Sequence, residues 1–269
     1  MLLFFVLFCF ISFCSCERYG TEIEDMMIIQ GVAVDKENDK FSVTVEMLNN
    51  DLTSLKSVPV GLIKESLKPY LYNFKADKAT IISSNALENC KNVVSSLLTQ
   101  HKKLGNALTI LIDTEEVFAE YKPLASSYCF EKIEEFTDQI IQFIDQKIVN
   151  SQYDLTIFIG GVDKFKESLS STKLDEFMNK IKSVANCNLI FIDSAFKLKK
   201  LAFELWYTSM VVNSNGIWIG SGVMEQTVIK PAEYNKKYNV QISNGFAWIF
   251  KNGSGQLTKL IGGEETNEE

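Results

Sequence analysis

Histidine and clustered cysteine are nearly missing from this chain of 269 residues, which contains a single histidine, His101. Three of the six cysteines lie in the first 16 residues, and Cys90, Cys129 and Cys187 are far apart with no CxxC spacing. Structural zinc needs four clustered cysteine or histidine ligands, so a zinc site is excluded and we expect neither metal nor cofactor. These three cysteines are predicted to be buried, reduced thiols that pack as small apolar side chains. His101 is predicted to lie on the surface at a helix end.

A basic stripe is also missing, and the formal net charge is −7. Phosphate backbones are bound by clustered lysine and arginine, so nucleic acid is not an expected partner. Only four prolines are present, and no repeat or low-complexity linker is visible. The 46% hydrophobic and 23% charged content is ordinary for a soluble globular protein, and the length allows one large domain or two small ones.

The first 16 residues, MLLFFVLFCFISFCSC, carry no charge. The stretch has the length of a signal-peptide core but lacks a basic start, and it is shorter than the roughly 20 residues that span a bilayer. Ser15 before Cys16 fits a bacterial lipoprotein signal that would be lipidated at Cys16, although Phe13 fits that motif poorly. An uncleaved membrane anchor and an artefactual or misjoined start remain the alternatives. Membrane association through the N-terminus is therefore the expectation.

Two short β-like runs, 28–34 and 41–48, are separated by a polar turn and predict a hairpin that ends near 49–54. From Ser57 onward, fully apolar strands alternate with amphipathic helices, which predicts a mainly parallel sheet covered by helices on both faces. Strands are expected at 107–112, 156–160 and 188–192. Helices are expected at about 87–104, 130–149 and 172–185, and through KLKKLAFELWYT.

The C-terminal part changes to an antiparallel pattern, with a hairpin reversal at NGSG and with Trp218 and Trp248 as expected core residues. The predicted organisation has a leader or anchor at 1–16, a β segment at 17–55, an α/β domain at 56–262 and an acidic tail at 263–269.

The turn after the strand ATII is the position where a nucleotide-binding α/β domain carries the phosphate loop GxxxxGK[ST]. Here the turn reads SSNALENCKN, residues 83–92. Ser83 and Glu88 occupy the glycine positions, Asn89 the lysine position and Cys90 the hydroxyl position. Lys91 is no substitute, because two residues further along a helix turn the side chain about 200° away. The sequence therefore predicts a phosphate loop without its phosphate-binding groups.

The strand TIFIGG lies where the second, acidic nucleotide motif is expected. Gly160 and Gly161 have no carboxylate to hold magnesium or orient water. Asp163 comes three residues later and is predicted to be a turn or helix-capping residue. With both motifs degenerate, the chain is predicted not to be an enzyme, since nothing remains to stabilise transition-state charge.

Residues from about Val58 to Ile261 resemble the FtsK/SpoIIIE-type ATPase domains, most closely the last, degenerate ATPase-like domain of EssC, the membrane motor of type VII secretion. The resemblance is carried by VPVGLIKESLKPYLYNF, NLIFIDSAFKLKKLAFELWY and NSNGIWIGSGVMEQTVIK. It implies a P-loop NTPase-like fold and a non-catalytic role in substrate recognition or motor assembly. The implied partners are small helical WxG-type secreted proteins and neighbouring ATPase domains.

The segment CERYGTEIEDMMIIQGVAVDKENDKFSVTVEMLN resembles the start of GerC-type spore germination lipoproteins, in which a lipidated cysteine precedes a β-hairpin. This second resemblance covers about residues 1–50 and implies lipidation at Cys16. It provides the alternative function, a membrane-anchored germination-receptor subunit. The two resemblances imply opposite sides of the membrane, so the sequence leaves the compartment open.

Overall fold

The computed structural model describes residues 28–37, 40–48, 57–149, 153–243 and 245–261. The predicted leader with Cys16 and the predicted acidic tail 263–269 lie outside these residues. Contacts between Cα atoms divide the chain into two units, one ending at Asp51 and one beginning at Leu52. Among the described residues, no helix combines the length and the apolar character that crossing a bilayer requires.

The first unit contains an antiparallel hairpin of strands β1 (Ile28–Glu37) and β2 (Lys40–Leu48). The pairing runs from Ile28 opposite Leu48 to Glu37 opposite Lys40, with an irregularity between Ile29 and Gly31. The hairpin was predicted from the two apolar runs.

The described residues of the second unit form ten further strands and six α-helices with short 3-10 turns. Its strands are β3 (Val58–Ile63), β4 (Pro69–Tyr72), β5 (Ala79–Ser84), β6 (Ala107–Asp113), β7 (Ser127–Cys129), β8 (Asp154–Gly160), β9 (Cys187–Ser194), β10 (Gly216–Ile219), β11 (Phe246–Lys251) and β12 (Ser254–Leu260). Its helices are α1 (Lys91–Lys102), α2 (Ile133–Phe143), α3 (Val162–Glu167), α4 (Ser171–Ser183), α5 (Ala195–Lys200) and α6 (Leu205–Thr208).

All ten strands form one sheet in the order β4-β3-β12-β11-β10-β5-β9-β8-β6-β7. The strands from β10 to β7 pair in parallel, whereas β10-β11, β11-β12, β12-β3 and β3-β4 are antiparallel. The fold class predicted from the sequence, a mainly parallel α/β sheet with an antiparallel C-terminal part, is confirmed. This order brings the ends of β5, β9, β8 and β6 side by side at one edge, where the positions predicted for the two nucleotide motifs lie.

Helices cover both faces of the sheet, because alternate residues of each buried strand point to opposite sides. On one face, α1 packs against residues such as Ile82, Leu111 and Phe158. On the other face, α2 to α6 cover a second core that includes Ile81 and Phe191. Strands that are buried on both sides explain why runs such as TIFI and NLIFI are apolar at almost every position.

Two predicted helices differ from the structure at their ends. The helix expected at 130–149 begins at Ile133, because Lys132 before it adopts a left-handed φ of 50°, and its last turn widens into a π-helix at Ile144–Ile148. The helix expected through KLKKLAFELWYT is broken into α5, a 3-10 turn at Leu201–Phe203 and α6. The break leaves a short, irregular segment on the surface.

The C-terminal hairpin turns through only two residues, Asn252 and Gly253, with φ of 51° and 75°. Positive φ at both positions is the turn geometry for which Asn-Gly is preferred, as the sequence predicted. Trp218 and Trp248 are buried, so their assignment to the core is confirmed.

The prediction that His101 is a surface residue is wrong. Its ring is only 1% exposed, and its two nitrogens lie 2.6 Å from the Thr109 hydroxyl and 2.9 Å from the Thr156 hydroxyl. Burial lowers the pKa of His101 to about 4, so the ring is neutral at physiological pH. The polar run around it was misleading because the last turn of α1 packs its histidine against β6 and β8.

Cys90 and Cys187 are buried free thiols, as predicted. Cys129 differs, since it is half-buried on the edge strand β7 and its thiol donates to the Glu131 carbonyl at 2.9 Å.

Candidate functional site

Four site residues were predicted at the end of β5 and in the turn that follows it. Two of them, Ser83 and Cys90, point into the protein. The Ser83 hydroxyl is buried and donates to the backbone carbonyl of Asp193 at 2.9 Å. Cys90 is also fully buried, and burial, with smaller effects from the charges of Asp193 and Glu88, raises the pKa of its thiol far above its usual value. Glu88 is exposed to solvent. The position of the phosphate-loop hydroxyl therefore holds a neutral thiol packed in the core.

The backbone of this turn does not form an anion-binding concavity. Such concavities alternate right- and left-handed residues so that successive amides converge. No residue between Ala79 and Lys102 has a φ in the left-handed range. The turn is instead a 3-10 helix at Leu87–Cys90, in which the amides of Asn89 and Lys91 donate to the carbonyls of Ala86 and Glu88.

The exposed side chains of the turn are also engaged within the protein. The Asn89 amide donates to the Ser84 hydroxyl at 3.1 Å. The Lys91 ammonium lies 3.2 Å from the Glu120 carboxylate. Both side chains therefore have partners within the chain. The pairing of Lys91 with a carboxylate agrees with the expectation that it does not replace the missing lysine.

At the end of β8, the space for a side chain at position 160 is filled by Phe118. A Cβ atom added to Gly160 would lie 2.6 Å and 2.7 Å from two carbon atoms of the fully buried Phe118 ring. Real Cβ atoms are not found that close to carbon, so even alanine would require the ring to move. The position predicted for the acidic motif therefore has no carboxylate, and the Phe118 ring leaves no space for one.

Asp113, at the end of the neighbouring strand β6, holds Phe118 in this place. Its carboxylate accepts hydrogen bonds from the Phe118 amide at 2.8 Å, the Val117 amide at 3.1 Å and the Tyr128 hydroxyl at 3.1 Å. Burial raises the pKa of Asp113 against the lowering effect of these donors. Asp113 therefore acts as a structural acceptor that folds the loop back over the sheet edge.

Gly161 begins α3 with a φ of 74°, and a Cβ there would lie 2.4 Å from the Thr114 hydroxyl. That hydroxyl donates to the carbonyls of Gly160 and Gly161, at 3.0 Å and 2.8 Å. Asp163 follows in the first turn of α3, and its carboxylate lies 2.9 Å from the Lys200 ammonium. A carboxylate in a first turn is favoured by the helix dipole.

Asp193, at the end of β9, is a buried acidic residue that contacts a residue of each predicted motif, Ser83 and Asp163. Its carboxylate accepts from the amides of Asp163 at 3.1 Å and Ser194 at 2.8 Å, with the Lys197 ammonium at 4.0 Å. Burial raises the pKa of Asp193 to about 6, although these contacts lower it in part. Lys197 also forms an ion pair with Glu115.

Three of the carboxylates at this edge are therefore matched by two lysines of α5, while Asp113 is satisfied by amide and hydroxyl donors. Asp163 pairs with Lys200, while Glu115 and Asp193 share Lys197. A divalent cation at these carboxylates would have to displace ammonium groups of the same chain. The arrangement neutralises these three carboxylates internally, and among the described residues no group of three or more histidine, cysteine, aspartate or glutamate side chains is placed to hold a metal ion.

The structure brings the predicted positions Ser83 and Asp163 into contact with one residue, Asp193, which was not among the predicted site residues; Ser83 bonds its backbone carbonyl, and the Asp163 amide bonds its carboxylate. Asp113 and Phe118 were also missed. Asp113 and Asp193 share a visible signal, since each is an acidic residue at the end of an apolar strand. Phe118 carries no such signal, because its place depends on how the loop after β6 folds back.

Comparison with known proteins gives likeness in structure alone. No protein-family model matches the chain, and no curated protein matches it. ATPases 2 and 3 of EssC from Geobacillus thermodenitrificans superimpose with a TM-score of 0.57 at 15% identity, over 77% of this chain and 41% of that one. ATPases 2 and 3 of EccC from Thermomonospora curvata, in complex with a signal sequence peptide, give 0.57 at 14% identity, over 82% and 45%.

The cytoplasmic domain of EssC is similar as well, with a TM-score of 0.60 at 12% identity over 90% of this chain and 60% of that one. The chain thus spans about half the length of the secretion ATPases that it resembles. Identities this low show a shared fold, that of type VII secretion ATPase domains. The resemblance of the N-terminus to germination lipoproteins finds no support among these neighbours.

Proposed function

We propose that this chain is a non-catalytic ATPase-fold module that works by binding proteins, in substrate recognition or in motor assembly of a type VII secretion system. The proposal combines a shared fold with a sheet edge that has lost the groups needed for nucleotide hydrolysis. Binding of a signal sequence peptide by a neighbour of the same fold supports a role for this fold in protein recognition.

The observation that carries the non-catalytic part is the Phe118 ring at Gly160. A missing carboxylate alone could be restored by one substitution, whereas a filled position requires the loop after β6 to be rebuilt. The ion pairs of Lys197 and Lys200 support the same conclusion, because they neutralise Glu115 and Asp163 without an external cation.

The protein-binding part is supported by large apolar side chains exposed on the segment from α5 to α6. Phe196 is 73% exposed, Phe203 94% and Leu205 85%. We call these three residues the exposed apolar patch. Apolar side chains that gather on one surface segment mark interaction sites more often than single exposed ones do.

The test compares nucleotide binding with protein binding in the same preparation. We expect no heat of binding for Mg·ATP by titration calorimetry. In contrast, we expect a WxG-type secreted protein or an adjoining ATPase domain to bind, and the double variant Phe203→Ser/Leu205→Ser to bind at least about tenfold more weakly, since central apolar anchors typically contribute more than 1 kcal/mol each.

The control variant is Leu71→Ser, which removes an exposed apolar side chain from the edge strand β4. It should leave partner binding unchanged. Equal binding by the wild type and the Phe203→Ser/Leu205→Ser variant would overturn the assignment of the exposed apolar patch, and hydrolysis of ATP by the purified chain would overturn the non-catalytic assignment.

A further inference from the structure

The antiparallel end of the large sheet has one face that the described helices leave uncovered. On its other face, Val58 of β3 and Tyr72 of β4 pack in the core beneath α1. Because side chains alternate along a strand, Leu71 next to Tyr72 lies on the uncovered face. Leu62 pairs with Pro69, two residues from Leu71, and shares that face. Within the described part of the chain, no residue of β3 or β4 belongs to the core that α2 to α6 cover, and both leucines are exposed.

The turn that joins β3 to β4 carries an apolar side chain that the fold does not bury. Leu67 is 75% exposed and has a φ of 54°, a left-handed value that is unfavourable for a bulky residue. The turn is held by backbone hydrogen bonds from the Leu67 amide to the Ile63 carbonyl at 2.8 Å and from the Ile63 amide to the Lys68 carbonyl at 2.9 Å. Leucine at this position therefore adds no burial to the fold and strains its backbone.

Three lysines surround these leucines. Lys259 of β12 lies opposite Leu62 in the sheet, while Lys64 and Lys68 belong to the turn. The ammonium groups of Lys64 and Lys259 lie 5.8 Å and 5.7 Å from the centre of the Phe246 ring, so both charges are held beside the same ring. The charges and the leucines therefore belong to one surface. We call the following residues the lysine-leucine surface: Leu62, Leu67, Leu71, Lys64, Lys68 and Lys259.

The charge of this surface decides which partner fits it. Its three lysines outnumber the one carboxylate of the turn, Glu65, on a chain whose formal net charge is −7. A second copy of the chain would bring the same lysines against these, and like charges across an interface are unfavourable. Lysine is also depleted at the centres of protein–protein interfaces. Exposed leucine surrounded by lysine matches the boundary of an anionic bilayer, where apolar side chains enter the lipid and ammonium groups meet the headgroups.

We propose that the lysine-leucine surface docks on an anionic lipid bilayer, with Leu67 inserted among the lipid chains and the three lysines at the headgroups. Insertion removes the Leu67 side chain from water, and each lysine adds attraction to the anionic surface. The inference is independent of the proposed function, since it uses none of the predicted nucleotide-motif positions and no residue of the exposed apolar patch.

The test uses the full chain with Leu67→Trp, because the three native tryptophans are buried. On vesicles of phosphatidylserine and brominated phosphatidylcholine, we expect emission from the new side chain to shift to shorter wavelength and to be quenched by bromine. Leu205→Trp is the matched control, an exposed position on the exposed apolar patch, and should be quenched no more than the wild type. Quenching at position 67 that does not exceed quenching at position 205 would overturn the proposal and favour an acidic protein as the partner.

The lysines are tested in the Leu67→Trp background. Lys64→Gln/Lys68→Gln should raise the lipid concentration at half-maximal quenching at least about tenfold, because two charges that attract the anionic surface are lost. Lys103→Gln/Lys182→Gln removes the same charge from exposed lysines outside the surface and should leave the midpoint unchanged. An equal shift in both double variants, or equal quenching on vesicles of brominated phosphatidylcholine alone, would contradict the proposal.

Leu67→Gly separates docking from folding. Glycine accepts a left-handed φ without strain, so the melting temperature should stay constant or rise. Affinity for phosphatidylserine vesicles, measured by sedimentation, should fall about tenfold because the inserted side chain is lost. Unchanged vesicle affinity in a folded Leu67→Gly protein would contradict the insertion of this side chain.

Discussion

The carboxyl edge of the sheet and the segment from α5 to α6 differ in how many of their side chains have partners within the protein. At the edge, Asp113 and Asp193 accept two or more hydrogen bonds each, and lysines pair with the remaining carboxylates. On the segment, Phe203 and Leu205 face solvent, and the buried polar atoms of Trp206 and Tyr207 have no partner among the described residues.

At the carboxyl edge the side chains contact one another, whereas on the segment from α5 to α6 large apolar side chains are accessible to other molecules. The edge is filled from within by Phe118, Lys197 and Lys200. The segment presents surface that the described residues do not cover.

The largest effect is expected at Phe118 and Gly160. Phe118→Ala should lower the free energy of unfolding by about 3–5 kcal/mol through loss of a buried ring. Gly160→Ala should lower it by about 1–3 kcal/mol through overpacking against that ring.

The double variant sharpens this test, because the smaller side chain at 118 leaves room for the added methyl group. Its loss of stability in urea denaturation should fall short of the sum of the single losses by about 0.5–3 kcal/mol. Strictly additive losses would show that Phe118 does not fill position 160.

A smaller effect is expected from the titration of Asp193. Its folded pKa of about 6 lies above the unfolded value of about 3.9, so between these values the folded protein binds more protons and stability falls as pH rises. The loss on going from pH 4 to pH 7 is on the order of 2 kcal/mol. Asp193→Asn should remove this slope, as measured by urea denaturation across that range.

His101 must be considered in the same measurement, because its effect has the opposite sign. Its folded pKa of about 4 lies below the ordinary value, so stability rises with pH between about 4 and 6.5. The difference between the wild type and Asp193→Asn isolates the carboxylate, and Asp175→Asn, an exposed aspartate on α4, is the control that should keep the wild-type slope. Identical slopes in the wild type and Asp193→Asn would contradict the assignment.

The smallest effect on stability is expected on the open segment. Phe203→Ser/Leu205→Ser should change the free energy of unfolding by no more than about 0.5 kcal/mol, because both side chains are already exposed in the folded protein. The same variant is the one expected to lose partner binding. A strongly destabilised variant would mean that these side chains support the fold and are not free for interaction.

Much of the architecture could be predicted from the sequence because buried parallel strands leave a clear pattern. The runs at 107–112, 156–160 and 188–192 correspond to β6, β8 and β9, and their alternation with helices indicated a mainly parallel sheet. The degenerate phosphate loop stays a prediction, because it depends on aligning the turn after β5 with a motif.

The contacts that close the edge could not be predicted in the same way. The placement of Phe118 over Gly160 depends on a loop whose course is set by Asp113, a long-range contact that leaves no periodic pattern. His101 was misplaced for a related reason, because its burial depends on Thr109 and Thr156 from two other strands. Local polarity indicates exposure only where no neighbouring element covers the residue.

The central claim is tested most directly by equilibrium binding of Mg·ATP to the purified chain, measured by titration calorimetry alongside the triple variant Glu88→Gly/Asn89→Lys/Cys90→Thr. Because position 160 remains filled and the lysines of α5 remain paired, we predict no binding tighter than about 1 mM for either protein. Micromolar affinity of the wild type for Mg·ATP would contradict the account.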